Sequence, residues 1–268
     1  MSFDSFPGTL LRFVPGEGRL PDWMPQLRET VATCGTCIRC APGVEFPFFA
    51  ASKCCTHVPF LPNYSVGETL QAGGQAADVV RARLRTLSAW PLGLRPTPQE
   101  ETLERRRGPE GFGVDDRVVC PFLIEGQCSI WSSRPAVCAS YFCETSYGDN
   151  GRSLWRRVRA YFAFVETTLA GEALAQMGFL EDEIALSWRW LPRKEGVPGA
   201  FSPADQRSAW LEFDADRASF FLRAAAIVAG LSATHVQDLL GEDGRRLWKD
   251  VEGVGRATVH LAEQAKRT

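Results

Sequence analysis

The residues with the most chemistry to offer are nine cysteines: Cys34, Cys37, Cys40, Cys54, Cys55, Cys120, Cys128, Cys138 and Cys143. All lie between positions 34 and 143, and the last 125 residues hold none. Nine is an odd number, and the opening MSFDSFPGTL has no basic segment followed by an apolar core. The expected compartment is therefore the cytoplasm, where thiols stay reduced and a disulfide framework fits poorly. Clustered thiols in such a compartment point to a metal. Two-residue spacing in Cys34, Cys37 and Cys40 lets a loop fold back so that successive thiolates reach one ion or cluster. Bacterial ferredoxins open with the same run, but continue to a fourth cysteine and a proline. Here Val44 stands at that place. A fourth ligand must come from elsewhere, and Cys54 and Cys55 are nearest.

Adjacent side chains in an extended segment point to opposite sides. Cys54 and Cys55 are thus expected to serve two sites, or one of them a structural role. Cys120 and Cys128 fall at the two ends of an expected hairpin, which draws distant thiols together as in zinc knuckles and ribbons. Cys138 and Cys143 would stand about 140° apart on a continuous helix. One of them is expected past the helix end, or at a different centre.

The run from Cys120 through Phe122-Leu123, Cys128-Ser129-Ile130-Trp131 and Arg134-Pro135 to Cys138 resembles the cysteine-rich zinc- or iron-chelating domain family of the YkgJ type. Lys53-Cys54-Cys55-Thr56-His57-Val58-Pro59, followed by Leu61-Pro62-Asn63-Tyr64, resembles a longer bacterial subset of it. The resemblance covers residues 34–143. Family members open with a compact C-x2-C-x2-C-C, whereas thirteen residues separate Cys40 from Cys54 here. A flagellin lysine-N-methylase is similar to this family in its cysteine pattern and is associated with an iron–sulfur cluster. The resemblance therefore implies iron–sulfur before zinc.

The residues lean the same way. Eight thiolates would hold two four-iron clusters, or four would hold one, while a single zinc would use four. The metal itself deprotonates its thiols. Arg105, Arg106, Arg107, Arg134 and Lys53 could offset the charge of a thiolate-rich cluster, and Arg105, Arg107 and Arg134 are the candidates for cofactor binding.

Plainer readings stand beside these. Cysteines also serve as small buried hydrophobes, Cys143 most readily. His57 reads first as an ordinary hydrogen-bonded histidine and second as a ligand. His235 and His260 read as surface or packing residues. The Arg105–Arg107 run reads as a solvated face, or as an entry for an acidic substrate. Asp115, Asp116 and Glu125 read as turn residues. Trp155, Trp188, Trp190, Trp210, Phe220 and Phe221 read as core. No P-loop, G-x-G-x-x-G, H-E-x-x-H or G-x-S-x-G occurs, nor the C-x3-C-x2-C spacing of radical S-adenosylmethionine enzymes.

The elements that must position these residues are mostly helical. Residues 1–33 read as an irregular lead-in, 34–147 as a cysteine-rich metal or iron–sulfur domain of loops around short elements, and 148–268 as a helical C-terminal domain. Helical spacing marks 76–87. A hairpin is expected over Val118–Trp131, with strands Val118–Leu123 and Cys128–Trp131 and Glu125-Gly126-Gln127 in the turn. A short helix follows from Ser132 or Ser133, with Pro135 in its first turn. Leu154, Val158, Phe162, Val165 and Leu169 form a stripe over 152–177. Further helices are expected over 180–191, from a Ser202 cap to Gly230, and over 233–240 and 244–264.

The fold class is thus mainly α with a small β-hairpin, a metal lobe packing on a helical lobe. With 268 residues, 45% apolar and net charge −2, the chain reads as a globular protein with a sizeable core. A pI near 6.0 argues against a nucleic-acid binder. No apolar run approaches the roughly 18 residues of a membrane span. The expected function is a metal-binding protein that holds one or two iron–sulfur clusters, with an oxidoreductase or transferase activity left open and a redox partner or protein substrate as candidate partners. The alternatives are a structural zinc module for interactions and, by family analogy, a side-chain methyl- or group-transfer enzyme.

Overall fold

A computed structural model describes residues 6–16, 19–27, 37–41, 43–45, 47–141, 145–189 and 209–265. In chain order its elements are α1 (Gly8–Leu11), β1 (Leu61–Pro62), α2 (Asn63–Ala72), α3 (Gly74–Arg83), β2 (Ala89–Trp90), β3 (Gly93–Leu94), α4 (Pro98–Arg107), β4 (Leu123–Ile124), β5 (Gln127–Cys128), α5 (Ala136–Ala139), α6 (Gly148–Gln176), α7 (Glu181–Arg189), α8 (Arg217–Gly230) and α9 (Ala233–Ala265). The chain is mainly helical with small antiparallel sheets, as the sequence leads one to expect. Among the described residues no single helix is long and apolar enough to cross a membrane.

Two compact units are each assembled from separated segments. The first takes Met1–Arg39, Trp131–Thr168 and Leu231–Thr268; the second takes Cys40–Ile130 and Leu169–Gly230.

In the first unit the expected stripe of α6 is the core, with Leu154, Val158, Phe162 and Val165 each 0% exposed. Tyr161 meets Trp248 of α9 at 4.8 Å between ring centroids. Its hydroxyl donates to the Phe13 carbonyl at 2.7 Å, which also accepts from Gln237 at 2.6 Å. Of the described N-terminal residues, Phe6, Leu10, Phe13, Trp23 and Met24 are buried in this core. Gly241 leaves helical geometry (φ 57°, ψ −145°), which breaks α9 close to the boundary expected between its two helices.

In the second unit β1, β3 and β2 form an antiparallel sheet in that spatial order, with Leu61 and Ala89 both opposite Leu94. Buried Asn63 ties the sheet to α6 by donating to the Pro91 and Ala170 carbonyls at 3.2 and 3.0 Å. Helix α2 packs closely on α8 at Gly67, where a Cβ would come within 2.0 Å of the Phe221 carbonyl oxygen. Trp210, Phe220 and Phe221 meet edge-to-face beneath it.

Several boundaries differ from the sequence reading. The helix expected over 76–87 stops at Arg83, because the Thr86 and Ser88 hydroxyls donate to the Arg83 carbonyl and replace helical bonds. The helices α2 and α4 occupy residues expected to be loop. Burial along most of its length, not periodicity, holds α2 in place. A capping box holds α4: Thr97 Oγ1 accepts from the Glu100 amide, Glu100 accepts from the Thr97 amide, and Pro98 opens the helix. Ser202 lies outside the described residues. The described part of that helix starts only at Arg217, after a 3-10 segment Leu211–Asp216. There Asp216 accepts from the Ser219 amide at 3.1 Å.

Candidate metal centre

Five cysteines belong to the second unit: Cys40, Cys54, Cys55, Cys120 and Cys128. Backbone hydrogen bonds gather their segments. The loop around residue 50 is anchored where the Phe49 amide donates to the Gly113 carbonyl at 2.9 Å. The Phe49 carbonyl accepts from the Lys53 amide at 2.7 Å, and Cys40 Sγ lies 3.8 Å from the same oxygen. The chain then turns sharply: Lys53 takes a left-handed conformation (φ 52°), and the Cys55 amide donates to Ser52 at 2.8 Å. The Cys55 carbonyl in turn accepts from the Cys120 amide at 2.7 Å.

Cys120 opens a turn closed by the Leu123 amide at 3.0 Å, leading into the β4–β5 hairpin. The hairpin is shorter than expected. Its loop is Glu125-Gly126 alone, both residues at positive φ (50° and 74°), the backbone a two-residue hairpin turn demands. Cys128 therefore pairs with Leu123, and Gln127 belongs to the strand rather than the turn. Lys53 Nζ donates to the Gly126 carbonyl at 3.2 Å, so the cysteine loop is tied to the hairpin tip as well as to Cys120.

Electrostatics separate these thiols. Burial pushes the Cys120 thiol up to about 12; the Phe122 amide and Arg83 oppose this, while Cys128 and Glu100 add to it. Cys40, Cys54, Cys55 and Cys128 are half-buried. Among the described residues no three His, Cys, Asp or Glu side chains are placed to hold one ion. Cys40 has the Phe49 carbonyl as its neighbour. Each thiol would give up its proton to a metal. The donor chemistry suits a thiophilic centre. Buried Ser52 Oγ, two residues before Cys54, has no hydrogen-bond partner among the described residues and would suit a thiolate or sulfide acceptor.

Helix α4 braces the segment that follows Cys55. None of its residues is buried, and its inward contacts are polar. Glu104 accepts from the Val58 amide at 2.7 Å and from His57 Nδ1 at 3.2 Å. Arg107 donates to the Thr56 carbonyl and lies 5.8 Å from the Phe112 ring centroid. Arg83 grips Glu100 with two bonds, at 3.0 and 2.7 Å, and Arg95 pairs with Glu101 at 2.7 Å.

The remaining candidates are placed as follows. Arg105 and Arg106 are exposed. Cys37 and Cys138 belong to the first unit, and Cys34 and Cys143 lie outside the described residues. Cys138 sits on α5, which starts after Pro135 rather than at Ser132 or Ser133. Buried Arg134 stacks on Trp131, its guanidinium carbon 3.4 Å from the ring centroid. Asp115 pairs with Arg117, whose hydrogen bonds hold its carboxyl at about 2. His235 and His260 are exposed on α9, while Trp155, Trp210, Phe220 and Phe221 are core. Trp190, and the side chain of Trp188, lie outside the described residues.

Sequence reasoning missed two carboxylates. Glu104 sits among the charges of α4 and carries no mark in composition. Glu166 does carry one: four residues after Phe162 and three before Leu169, it occupies the buried face of the stripe. It is 8% exposed and accepts from the Ala136 amide at 2.6 Å; burial pushes its carboxyl up to about 8 against that bond.

Comparison with protein families, with curated proteins and with solved structures yields no match.

Proposed function

We propose that the chain binds a thiolate-ligated metal centre through Cys40, Cys54, Cys55, Cys120 and Cys128, and that the centre is an iron–sulfur cluster. One observation carries the reading. The 2.7 Å bond from the Cys120 amide to the Cys55 carbonyl joins the two cysteine-bearing segments of this unit directly. Five thiols on one unit exceed the four that one cluster needs. Lys53 at the hairpin tip supplies a cation near this thiol-rich surface. The resemblance to the YkgJ-type family supports iron before zinc. When bound, a cluster would supply one-electron chemistry or a Lewis-acidic iron; the chain's residues ligate it, brace its segments and neutralise its charge.

A second reading follows from the hairpin. The tight turn leads into Cys128, whose charge acts on the Cys120 thiol, and a thiol pair of this kind also suits a structural zinc. Anaerobic purification of the full chain, with iron, sulfide and zinc assayed on one sample, decides between them. Brown protein with iron and acid-labile sulfide in equal amounts is the expected result. Colourless protein with stoichiometric zinc makes the centre structural, and protein free of both metals overturns the proposal.

A further inference from the structure

We propose that the cavity between the end of α3 and the start of α8 binds a small zwitterion with an apolar body, an amino acid or short peptide. The proposal is independent of the metal reading, because none of the nine cysteines lines this cavity. The cavity lies within the second unit and holds about 740 Å³, a volume that suits a small ligand. Its lining is drawn from 81–87 and 214–218.

One residue fixes the frame. Arg217 Nη1 donates to the Leu84 carbonyl at 2.9 Å and so ties the two lining segments together. Its guanidinium also pairs with Asp214 and lies 4.8 Å from the ring centroid of buried Trp210. These contacts make Arg217 a strut. The turn after α3 is held as firmly. The Leu84 amide donates to the Val80 carbonyl at 2.9 Å, and Thr86 Oγ1 donates to the Arg83 carbonyl at 2.8 Å. The cavity is thus formed before any ligand arrives, as ligand pockets usually are.

Two charges remain for a ligand. Arg85 is exposed, and its side chain has no hydrogen-bond or ion-pair partner among the described residues. Asp216 is also exposed; its carboxylate accepts from the Ser219 amide and has no cationic partner among the described residues. Arg81, by contrast, is taken by Asp78 at 2.8 Å. A guanidinium on one segment and a carboxylate on the other therefore line the same cavity without neutralising each other. A zwitterion answers both, its carboxylate accepting from Arg85 and its ammonium donating to Asp216. A purely anionic ligand would meet Asp214 and Asp216, and a purely cationic one Arg81 and Arg85. Between the charges Leu84, Leu87, Ala215 and Ala218 supply hydrocarbon, which an apolar ligand body would cover.

Calorimetric titration of the full chain with leucine, leucyl-leucine, N-acetyl-leucine and leucinamide tests this. Leucine or leucyl-leucine is expected to bind, and the tighter of the two tells a free amino acid from a peptide. Removing one charge, as in N-acetyl-leucine or leucinamide, should weaken binding by roughly tenfold or more. Arg85→Ala should weaken the zwitterion by a similar factor and leave leucinamide unchanged. Asp216→Asn, which keeps an acceptor for Ser219, should weaken the zwitterion and leave N-acetyl-leucine unchanged. A wild type that binds neither zwitterion at millimolar concentration overturns the proposal. Blocked analogues that bind as tightly as the parent, or zwitterion binding that survives both variants, overturn it as well. The metal centre stands or falls separately from all of these outcomes.

Discussion

Glu166 accepts the amide of Ala136 at 2.6 Å, and this bond from the buried face of α6 holds the first turn of α5, the helix that carries Cys138. The carboxyl is protonated in the folded unit up to about pH 8, against an ordinary value of 4.5. The folded state thus holds a proton that the unfolded chain releases. Its contribution to stability is fully present below about pH 4.5 and fades as the pH rises through about 8. The whole span amounts to roughly 5 kcal/mol. Glu166→Gln keeps an acceptor for Ala136 and removes the titration. In urea unfolding at pH 5, 7 and 9, the variant should gain on the wild type as the pH rises. Parallel pH profiles for the two proteins would contradict this.

The pairing of Arg83 with Glu100 anchors the first turn of α4, whose later residues Glu104 and Arg107 hold Thr56, His57 and Val58. Burial pushes the Glu100 carboxyl up, but bonds from Arg83 and Thr97 outweigh it and leave the group below its ordinary value of 4.5. The pair is stabilising above that value and its contribution is lost as the pH falls through the lowered one. Glu100→Gln should cost about 2 kcal/mol at pH 7, and the gap to wild type should narrow on acidification. Equal unfolding midpoints at pH 7 would show that α4 is held by something else.

Gly67 and Gly253 make a matched pair of tests. At Gly67 a methyl would collide with the Phe221 carbonyl of α8, so Gly67→Ala should destabilise by about 1–3 kcal/mol. At Gly253, inside α9, nothing lies within 4 Å of the added Cβ, so Gly253→Ala should stabilise by about 0.5–1 kcal/mol. Thermal unfolding of both variants reads the two signs. A neutral Gly67→Ala would mean that α2 and α8 do not approach this closely.

The helical half of the chain was legible because its signals are local. The stripe from Leu154 to Leu169, the stop at Gly230 and the break near Gly241 are all written in consecutive residues. The hairpin was legible from Glu125-Gly126, but its register was not, since a two-residue turn moves Gln127 into the strand. Helix α2 was hidden because Gly67 weakens its propensity and packing on α8 restores it. Helix α4 looked like a solvated charge run; its partners Arg83 and His57 are distant in sequence. Of the candidate site, sequence indicated which residues could bind metal. It did not indicate that Cys55 meets Cys120, or that Glu104 holds His57, because neither contact leaves a periodic trace.

The central claim is that thiols from distant segments share one metal, and metal stoichiometry across single variants tests it most directly. Full-length protein is purified anaerobically as wild type, Cys55→Ser and Cys120→Ser, and metal per chain is measured beside circular dichroism. The account predicts a stoichiometric centre in the wild type and loss of most of it in each variant, with helical content retained. Wild-type protein without metal, or two variants that keep all of it, would contradict the account.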